Sequence, residues 1–280
     1  MSKYVPVLAV AGGIALVSLM FAKPVSAIVP SKLYIHIKHD ASGPFTLGKV
    51  QQIYSEIQAA NHTGIEVGIQ PQCIANWETQ LAYYGECKNI PVMAQFLTPN
   101  PYGTGEPYML SVEQIEAIRG VSDLRILSLN EAASYYRDVL NQPLPEDYIK
   151  SVFAYAKNIG VPVFWSEWDW RAYPIIADVI RGYEDTVIVS FGTNANYIEP
   201  VDAYQIFLQQ FSRKGASVQS WYWWERHDRV SGTELEMPPE LMIQHTSEAF
   251  AAGCEIVHYE PFGYFFDNEI PKSPLAAVLA

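Results

Sequence analysis

The chain has 280 residues, with 18 basic and 30 acidic side chains and a formal net charge of −12. An acidic surface repels polyanions, so the composition argues against nucleic acid or an anionic membrane surface as a partner. The length accommodates one large domain of roughly 250 residues or two small ones.

Residues 1–27 have the pattern of a signal peptide. Lys3 precedes an apolar stretch from Val5 to Ala22, and a small-residue cleavage pattern ends at Ala27. The stretch is about 18 residues long, near the lower limit for crossing a bilayer, so an uncleaved membrane anchor is the alternative. Both interpretations place residues 28–280 outside the cytoplasm, as a secreted or extracytoplasmic domain that contacts a membrane only through this segment.

Eight short apolar runs follow, at intervals of 25 to 36 residues, with amphipathic stretches between them. This alternation is typical of strand–helix units around a parallel sheet. Ser111 and Gln114, for example, form a capping-box pattern before one of the helical stretches. Eight units without a linker predict an α/β protein with a single (β/α)₈ barrel over residues 28–280. The predicted strands are Leu33–Ile37, Ile65–Ile69, Pro91–Leu97, Arg125–Leu129, Val161–Trp165, Thr186–Phe191, Val218–Trp224 and Cys254–Tyr259.

Polar and acidic side chains are concentrated where the predicted strands end. Catalytic residues of such barrels lie at the carboxyl ends of the strands and in the loops that follow. We therefore expect one polar, acidic pocket at that mouth of the barrel. The residues at or after these ends include His36, Gln70, Gln95, Asn130, Glu131, Glu167, Asp169, Asn194, Glu225, Asp228, His258 and Glu260.

The pair Asn130-Glu131 at the end of predicted strand four resembles the Asn-Glu that ends strand four in clan A glycoside hydrolases. Glu225, which ends predicted strand seven, matches the nucleophile of those enzymes. The resemblance implies that Glu131 is the acid/base, with Asn130 hydrogen-bonded to a sugar hydroxyl. Two carboxyl groups suit this chemistry because one protonates the leaving oxygen while the other attacks the anomeric carbon or activates water.

Glu260, at the end of predicted strand eight, adds a third candidate catalytic carboxylate. This arrangement resembles the inverting barrels of glycoside hydrolase family 98, in which Glu131 would remain the acid and Glu225, Asp228 or Glu260 would polarise water. Retention and inversion therefore both remain open. A structural alternative for Glu131 is that it caps the following helix, where the helix dipole favours a carboxylate.

The remaining polar and aromatic residues near these strand ends are candidate substrate contacts. Glu167 could equally form a structural ion pair with Arg171. His36 and His39 are expected to be structural, because strands five and six supply no further histidine for a metal. We expect neither a metal nor another cofactor. The predicted substrate-binding residues are Asn130, Glu167, Trp168, Asp169, Asn194, Tyr222, Trp224, Asp228, His258 and Tyr259.

The sequence thus predicts a glycoside hydrolase that cleaves an extracellular or cell-surface oligo- or polysaccharide. Two alternatives belong to other classes: a barrel that binds glycan without cleaving it, and a hydrolase or lyase that acts on another substrate. The fold by itself does not choose among them. A disulfide between Cys73 and Cys87 is also left open by the sequence.

Overall fold

The computed structural model describes residues 32–39, 50–60, 64–73, 76–99, 107–167, 169–193, 207, 209–219, 221–223, 234–236, 239–260, 266–267 and 270–271. The predicted signal peptide or anchor, residues 1–27, lies outside these ranges. Within them, no helix combines the length and the hydrophobicity needed to cross a bilayer.

Eight parallel strands form a closed barrel, as the sequence predicts. Each strand pairs with its neighbours in the chain, and the first strand pairs with the last, which closes the sheet. The (β/α)₈ fold is therefore confirmed. The strands are β1 Lys32–His39, β2 Glu66–Cys73, β3 Pro91–Thr98, β4 Asp123–Asn130, β5 Val163–Ser166, β6 Val187–Thr193, β7 Lys214–Gln219 and β8 Ile256–Glu260.

The seventh strand differs most from its prediction. It ends at Gln219, and Trp221–Trp223 instead forms a separate antiparallel pair with Glu234–Glu236. Aromatic residues favour strands, so the Trp-rich run is the stronger signal in the sequence, whereas β7 begins with Lys214 and a glycine. The barrel strand therefore ends six residues before Glu225, not at Glu225 as predicted.

Helices connect the strands, and Ser111 begins one of them with the predicted capping box. Its Oγ accepts a hydrogen bond from the Gln114 N–H at 3.2 Å, and Gln114 Oε1 accepts one from the Ser111 N–H at 2.8 Å. The helices are α1 Val50–Ala60, α2 Trp77–Glu86, α3 Val112–Val121, α4 Ala132–Tyr135, which continues as a π-helix over Tyr136–Leu140, α5 Glu146–Ile159, α6 Tyr173–Val179 and α7 Pro239–Ala251.

The barrel interior has its own small apolar cluster, separate from the larger core of the protein. Gly68 and Gly215 leave room for the two largest of its side chains. A Cβ on Gly68 would collide with the Tyr34 ring and lie 2.8 Å from the Pro91 carbonyl oxygen, and one on Gly215 would lie 2.5 Å from the Phe164 ring. The cluster consists of Tyr34, Met93, Ile126, Phe164, Ile188 and Ile256.

Gly68→Ala is expected to lower the free energy of unfolding by about 1–3 kcal/mol, because the new methyl group overpacks the barrel against backbone that cannot move aside. Urea denaturation measures the change. Gly85→Ala is the matched control, since a Cβ at that position in α2 has no atom within 4 Å. The control should be neutral or stabilising. Equal stability of the two variants would contradict the close packing around Gly68.

Candidate active site

A layer of polar side chains lies directly above the apolar cluster, toward the carboxyl ends of the strands. Alternate residues of a strand face the same side of a sheet. The residues two positions beyond the six cluster members and the two glycines therefore also face the interior. All eight are polar, and seven of them are at most 5% exposed. We call this set the polar ring: His36, Gln70, Gln95, Ser128, Ser166, Ser190, Ser217 and His258.

The polar ring is divided by chemistry, because neighbouring strands carry similar groups. Imidazoles come from β8 and β1, amides from β2 and β3, and hydroxyls from β4 to β7. The hydroxyls bond to one another: Ser166 Oγ lies 2.9 Å from Ser217 Oγ, which donates to Ser190 Oγ at 3.4 Å. Ser190 Oγ also accepts the backbone N–H of Glu167 at 3.2 Å. The hydroxyl groups of this part of the ring therefore find most of their hydrogen-bond partners within the protein.

His258 and His36 form a stacked pair of imidazoles, with ring centroids 6.0 Å apart and ring planes at 25°. The edge of the Phe164 ring approaches His258 from below, at 5.8 Å between centroids. Burial, and secondly the neighbouring His36 imidazole, lowers the pKa of His258 well below 6.5. His258 is thus neutral near pH 7, and a neutral imidazole has one donor and one acceptor nitrogen.

Three side-chain amides come from the strands that follow β1 around the barrel, and the first of them, Gln70, pairs in register with His36. Gln70 Nε2 donates to Ser128 Oγ at 3.4 Å. Asn130 follows Ser128 in the inward-facing series of β4, one level closer to the mouth. The side-chain oxygens of Gln70, Gln95 and Asn130 are all buried and have no hydrogen-bond partner within the part of the chain that the structure describes. A buried amide oxygen without a donor is unfavourable, by roughly 1–3 kcal/mol. We call these three residues the amide cluster.

Glu131 follows β4 with a left-handed backbone, at φ 47° and ψ 24°. Its N–H donates to the Ser166 carbonyl at 2.8 Å, and its own carbonyl accepts from the Tyr135 N–H at 2.9 Å. A left-handed residue other than glycine costs about 1–3 kcal/mol and is often found at functional sites. Glu131 occupies the N-cap position of α4, but its side chain makes no capping hydrogen bond. Glu131 therefore has the position of the structural alternative without its capping hydrogen bond.

Glu167 is fully buried just after β5 and binds the first turn after Glu131. Ser134 Oγ donates to its Oε1 at 2.6 Å, and the Ser134 N–H donates to its Oε2 at 3.4 Å. The carboxyl group thus joins the end of β5 to α4, directly after Glu131. Glu167 therefore acts on the site by holding the backbone near Glu131, and Arg171 is bound by a different acid.

Ser134→Ala is expected to destabilise the fold by about 1.5–3 kcal/mol, since it removes a short hydrogen bond to a buried carboxyl group. Ser151→Ala is the matched control, because Ser151 Oγ donates to the Tyr148 carbonyl on the exposed face of α5. The control should change stability by no more than about 0.5 kcal/mol. Thermal or urea denaturation of both variants tests the difference, and equal effects would argue against the role assigned to Ser134.

Asp169 belongs to an ion-pair network instead of the polar ring. It accepts from Arg171 Nε at 2.8 Å, from the Arg171 N–H at 3.0 Å and from Arg137 Nη2. Burial would raise the pKa of this carboxyl group, but the hydrogen bonds from Arg171 and Arg137 hold it below its ordinary value. Asp169 is therefore the acid that pairs with Arg171, where the sequence considered Glu167 for that role.

The remaining predicted site residues, and the cysteines, differ in where the structure places them. The hydroxyl group of Tyr259, which is fully buried, is hydrogen-bonded to Thr246 of α7, away from the polar ring. Glu260 lies in β8, but its side chain is outside the description, as is that of Tyr222. The Cys87 thiol donates to the Tyr83 carbonyl at 3.4 Å and is not part of a disulfide. The other predicted site residues lie outside the described residues: Trp168, Asn194, Trp224, Glu225 and Asp228.

The candidate active site therefore combines the polar ring with Asn130 and Glu131 at the mouth of the barrel. Sequence reasoning identified Asn130, Glu131 and His258, but it did not select the four serines. Counting two positions beyond the inward-facing apolar residue or glycine of each strand is the signal that could have found them. Within the described ranges, no group of three or more His, Cys, Asp or Glu residues is placed to hold a metal ion.

No family model matches the sequence, and no curated protein matches it. Solved structures that match it include three dihydropteroate synthases. That of Xanthomonas albilineans with 4-aminobenzoic acid is 11% identical over 84% of this chain and 88% of its own, with a TM-score of 0.47. That of Coxiella burnetii in complex with pteroic acid is 12% identical over 89% and 91%, with a TM-score of 0.43. That of Yersinia pestis is 10% identical over 90% and 94%, with a TM-score of 0.45.

These structures are dihydropteroate synthases and not glycoside hydrolases, which contradicts the predicted O-glycosidic activity. The predicted oligo- or polysaccharide substrate is contradicted in the same way, since their ligands are 4-aminobenzoic acid and pteroic acid. The similarity to clan A and to family 98 reaches only the barrel. At such low identity, the likeness to dihydropteroate synthases likewise concerns the fold, and their reaction is not transferred to this chain.

Proposed function

We propose that the protein is a non-glycosidic enzyme that transfers protons on a small, uncharged substrate bound over the polar ring. The observation that carries this proposal is that, on all eight strands, the residue two positions beyond the apolar cluster or its two glycines is polar. The interior of such barrels is ordinarily filled by bulky apolar side chains. A complete polar layer is unfavourable for folding unless its groups are hydrogen-bonded, and a substrate can supply the bonds that the ring does not.

The polar ring contains no Asp, Glu, Lys or Arg, and its His258 is neutral near pH 7. A strongly ionic substrate would lose its hydration there without gaining an ion pair, which is unfavourable. An uncharged, polar substrate avoids this penalty and can bond to the ring. This supports a substrate of low charge.

Proton transfer needs a base that is unprotonated and an acid that is protonated at the working pH. The acceptor nitrogen of a neutral His258 can take a proton from the substrate, and the stacked His36 places a second imidazole beside it. The Glu131 carboxyl group, held by its strained backbone at the mouth, is the proposed second acid/base group. Its separation from the imidazole pair allows protons to be exchanged on two sides of one substrate.

Hydrogen–deuterium exchange tests this proposal without knowledge of the product. The purified protein is incubated in D₂O with a panel of uncharged small molecules, and proton NMR follows loss of substrate C–H signals and formation of new species. We expect exchange or conversion of at least one compound, and its loss in His258→Gln. Release of reducing sugar from a glycan panel, or turnover confined to strongly anionic compounds, would overturn the proposal.

A further inference from the structure

We infer that the substrate presents a planar, uncharged amide-type edge, such as that of a carboxamide, a urea or a lactam, to the amide cluster. The inference rests on the proposed function, because it names the substrate class of the same site. It is drawn from the amide cluster itself, Gln70, Gln95 and Asn130, and not from the imidazoles.

The three amides are staggered along the barrel axis, since Gln95 pairs in register with Ser128 and Asn130 lies two residues beyond Ser128. Gln70, Gln95 and Asn130 come from the consecutive strands β2, β3 and β4, and all face the barrel interior. The two glutamines are 2% and 5% exposed. Each of the three side-chain oxygens is buried and receives no hydrogen bond from any residue that the structure describes. This is therefore a buried surface of hydrogen-bonding groups that points into the site.

A primary amide offers an N–H₂ donor and a carbonyl acceptor side by side. Its complement is a group with one acceptor and one donor at the same spacing, which another amide supplies. A carboxylate would supply no donor to the three buried amide oxygens. A cationic group would find no carboxylate among the three residues, and a hydrocarbon would leave the buried oxygens without donors, which is unfavourable.

The conclusion does not depend on which way the two glutamine amides are turned. Rotation of a terminal amide by 180° exchanges its oxygen and nitrogen. The exchange moves the donor and the acceptor but leaves one of each on every side chain. The opposite half of the polar ring is different, because its serines are short and bond to one another. Selectivity for an amide-type edge is therefore assigned to the amide cluster.

Benzamide, benzoate and benzamidine test the inference, since they share one ring and differ in the group presented. Saturation-transfer NMR and titration measure their binding to the full protein. We expect benzamide to bind more tightly than the anion and the cation, and Gln95→Met to weaken benzamide about tenfold or more by removing the donor and acceptor at nearly constant shape.

Gln80→Met is the matched control, because Gln80 is a glutamine of similar burial, 3% exposed, that lies in α2 and not in a barrel strand. It should leave benzamide binding unchanged. Asn130→Leu is a second variant that should also weaken benzamide, so the test does not depend on the folding of Gln95→Met. Circular dichroism confirms the fold of each variant.

Equal or tighter binding of benzoate or benzamidine, no binding of benzamide, or full binding by Gln95→Met would each overturn the inference. The deuterium-exchange screen separates this failure from failure of the proposed function. If a compound without an amide-type edge exchanges its protons and His258→Gln abolishes the exchange, the proposed function stands and the substrate class inferred here is wrong.

Discussion

Replacing His258 by glutamine is expected to lower kcat for the exchanging or converted substrate by about 10²–10⁴-fold, the usual contribution of a general acid or base. Glutamine can occupy the ring position and donate a hydrogen bond, but it cannot take up a proton near neutral pH. The effect should therefore fall on kcat and leave KM little changed. Steady-state kinetics on the compound identified by deuterium exchange measures both constants.

His245→Gln is the matched control for this experiment. His245 lies in α7, is partly buried, and has its pKa lowered by burial, against the opposing effect of Glu248. It therefore resembles His258 in residue type and in the direction of its pKa shift, but it is not part of the polar ring. Equal losses of kcat in the two variants, or a change confined to KM in His258→Gln, would argue against proton transfer by His258.

The second large effect concerns stability in acid. The folded protein binds a proton at His258 more weakly than the unfolded chain does, because the pKa of His258 lies well below 6.5 in the folded state. Lowering the pH therefore favours unfolding. The loss begins near pH 6.5 and continues down to the lowered pKa, with a limiting slope of about 1.4 kcal/mol per pH unit. By about pH 5 the loss reaches at most about 2 kcal/mol.

Urea denaturation of the wild type and of His258→Gln, from about pH 8 to about pH 5, isolates this contribution. His245 destabilises the protein in acid in the same direction, but it is present in both proteins and cancels in the difference. Asp169 acts in a lower window, because a carboxyl group of lowered pKa stabilises the fold above its ordinary pKa of 3.8 and loses that effect as the pH falls further. A difference between the two proteins that does not vary with pH would show that His258 is not buried as a neutral group.

The fold was predictable because seven of the eight strands contain apolar runs that are strong signals even in isolation. The seventh was misplaced for a physical reason. Gly215 must be small because the Phe164 ring occupies its space, so β7 lacks the bulky residues by which a strand is recognised. The seventh strand was therefore predicted at the aromatic run Trp221–Trp223, which pairs outside the barrel.

The site was predictable only in part, because its defining relations join distant residues. Asn130 and Glu131 are adjacent in sequence and could be recognised as a motif. The contacts that determine the roles of Glu167 and Asp169 come from Ser134 and Arg137, 33 and 32 residues away. Serines of the polar ring carry no catalytic signature one at a time, and the hydrogen bonds that group three of them become visible only when the strands are paired.

The apolar cluster under the polar ring restricts how small molecules enter and leave the barrel. Tyr34 and Phe164 fill the space beside the two glycines, and every member of the cluster is at most 1% exposed. The apolar cluster thus closes the barrel interior beneath the polar ring. Within the described residues the cluster blocks passage through the barrel, so substrate and product enter and leave on the side of the carboxyl ends of the strands, and a product molecule has to leave before the next substrate can come in. Accumulated product should therefore act as a competitive inhibitor.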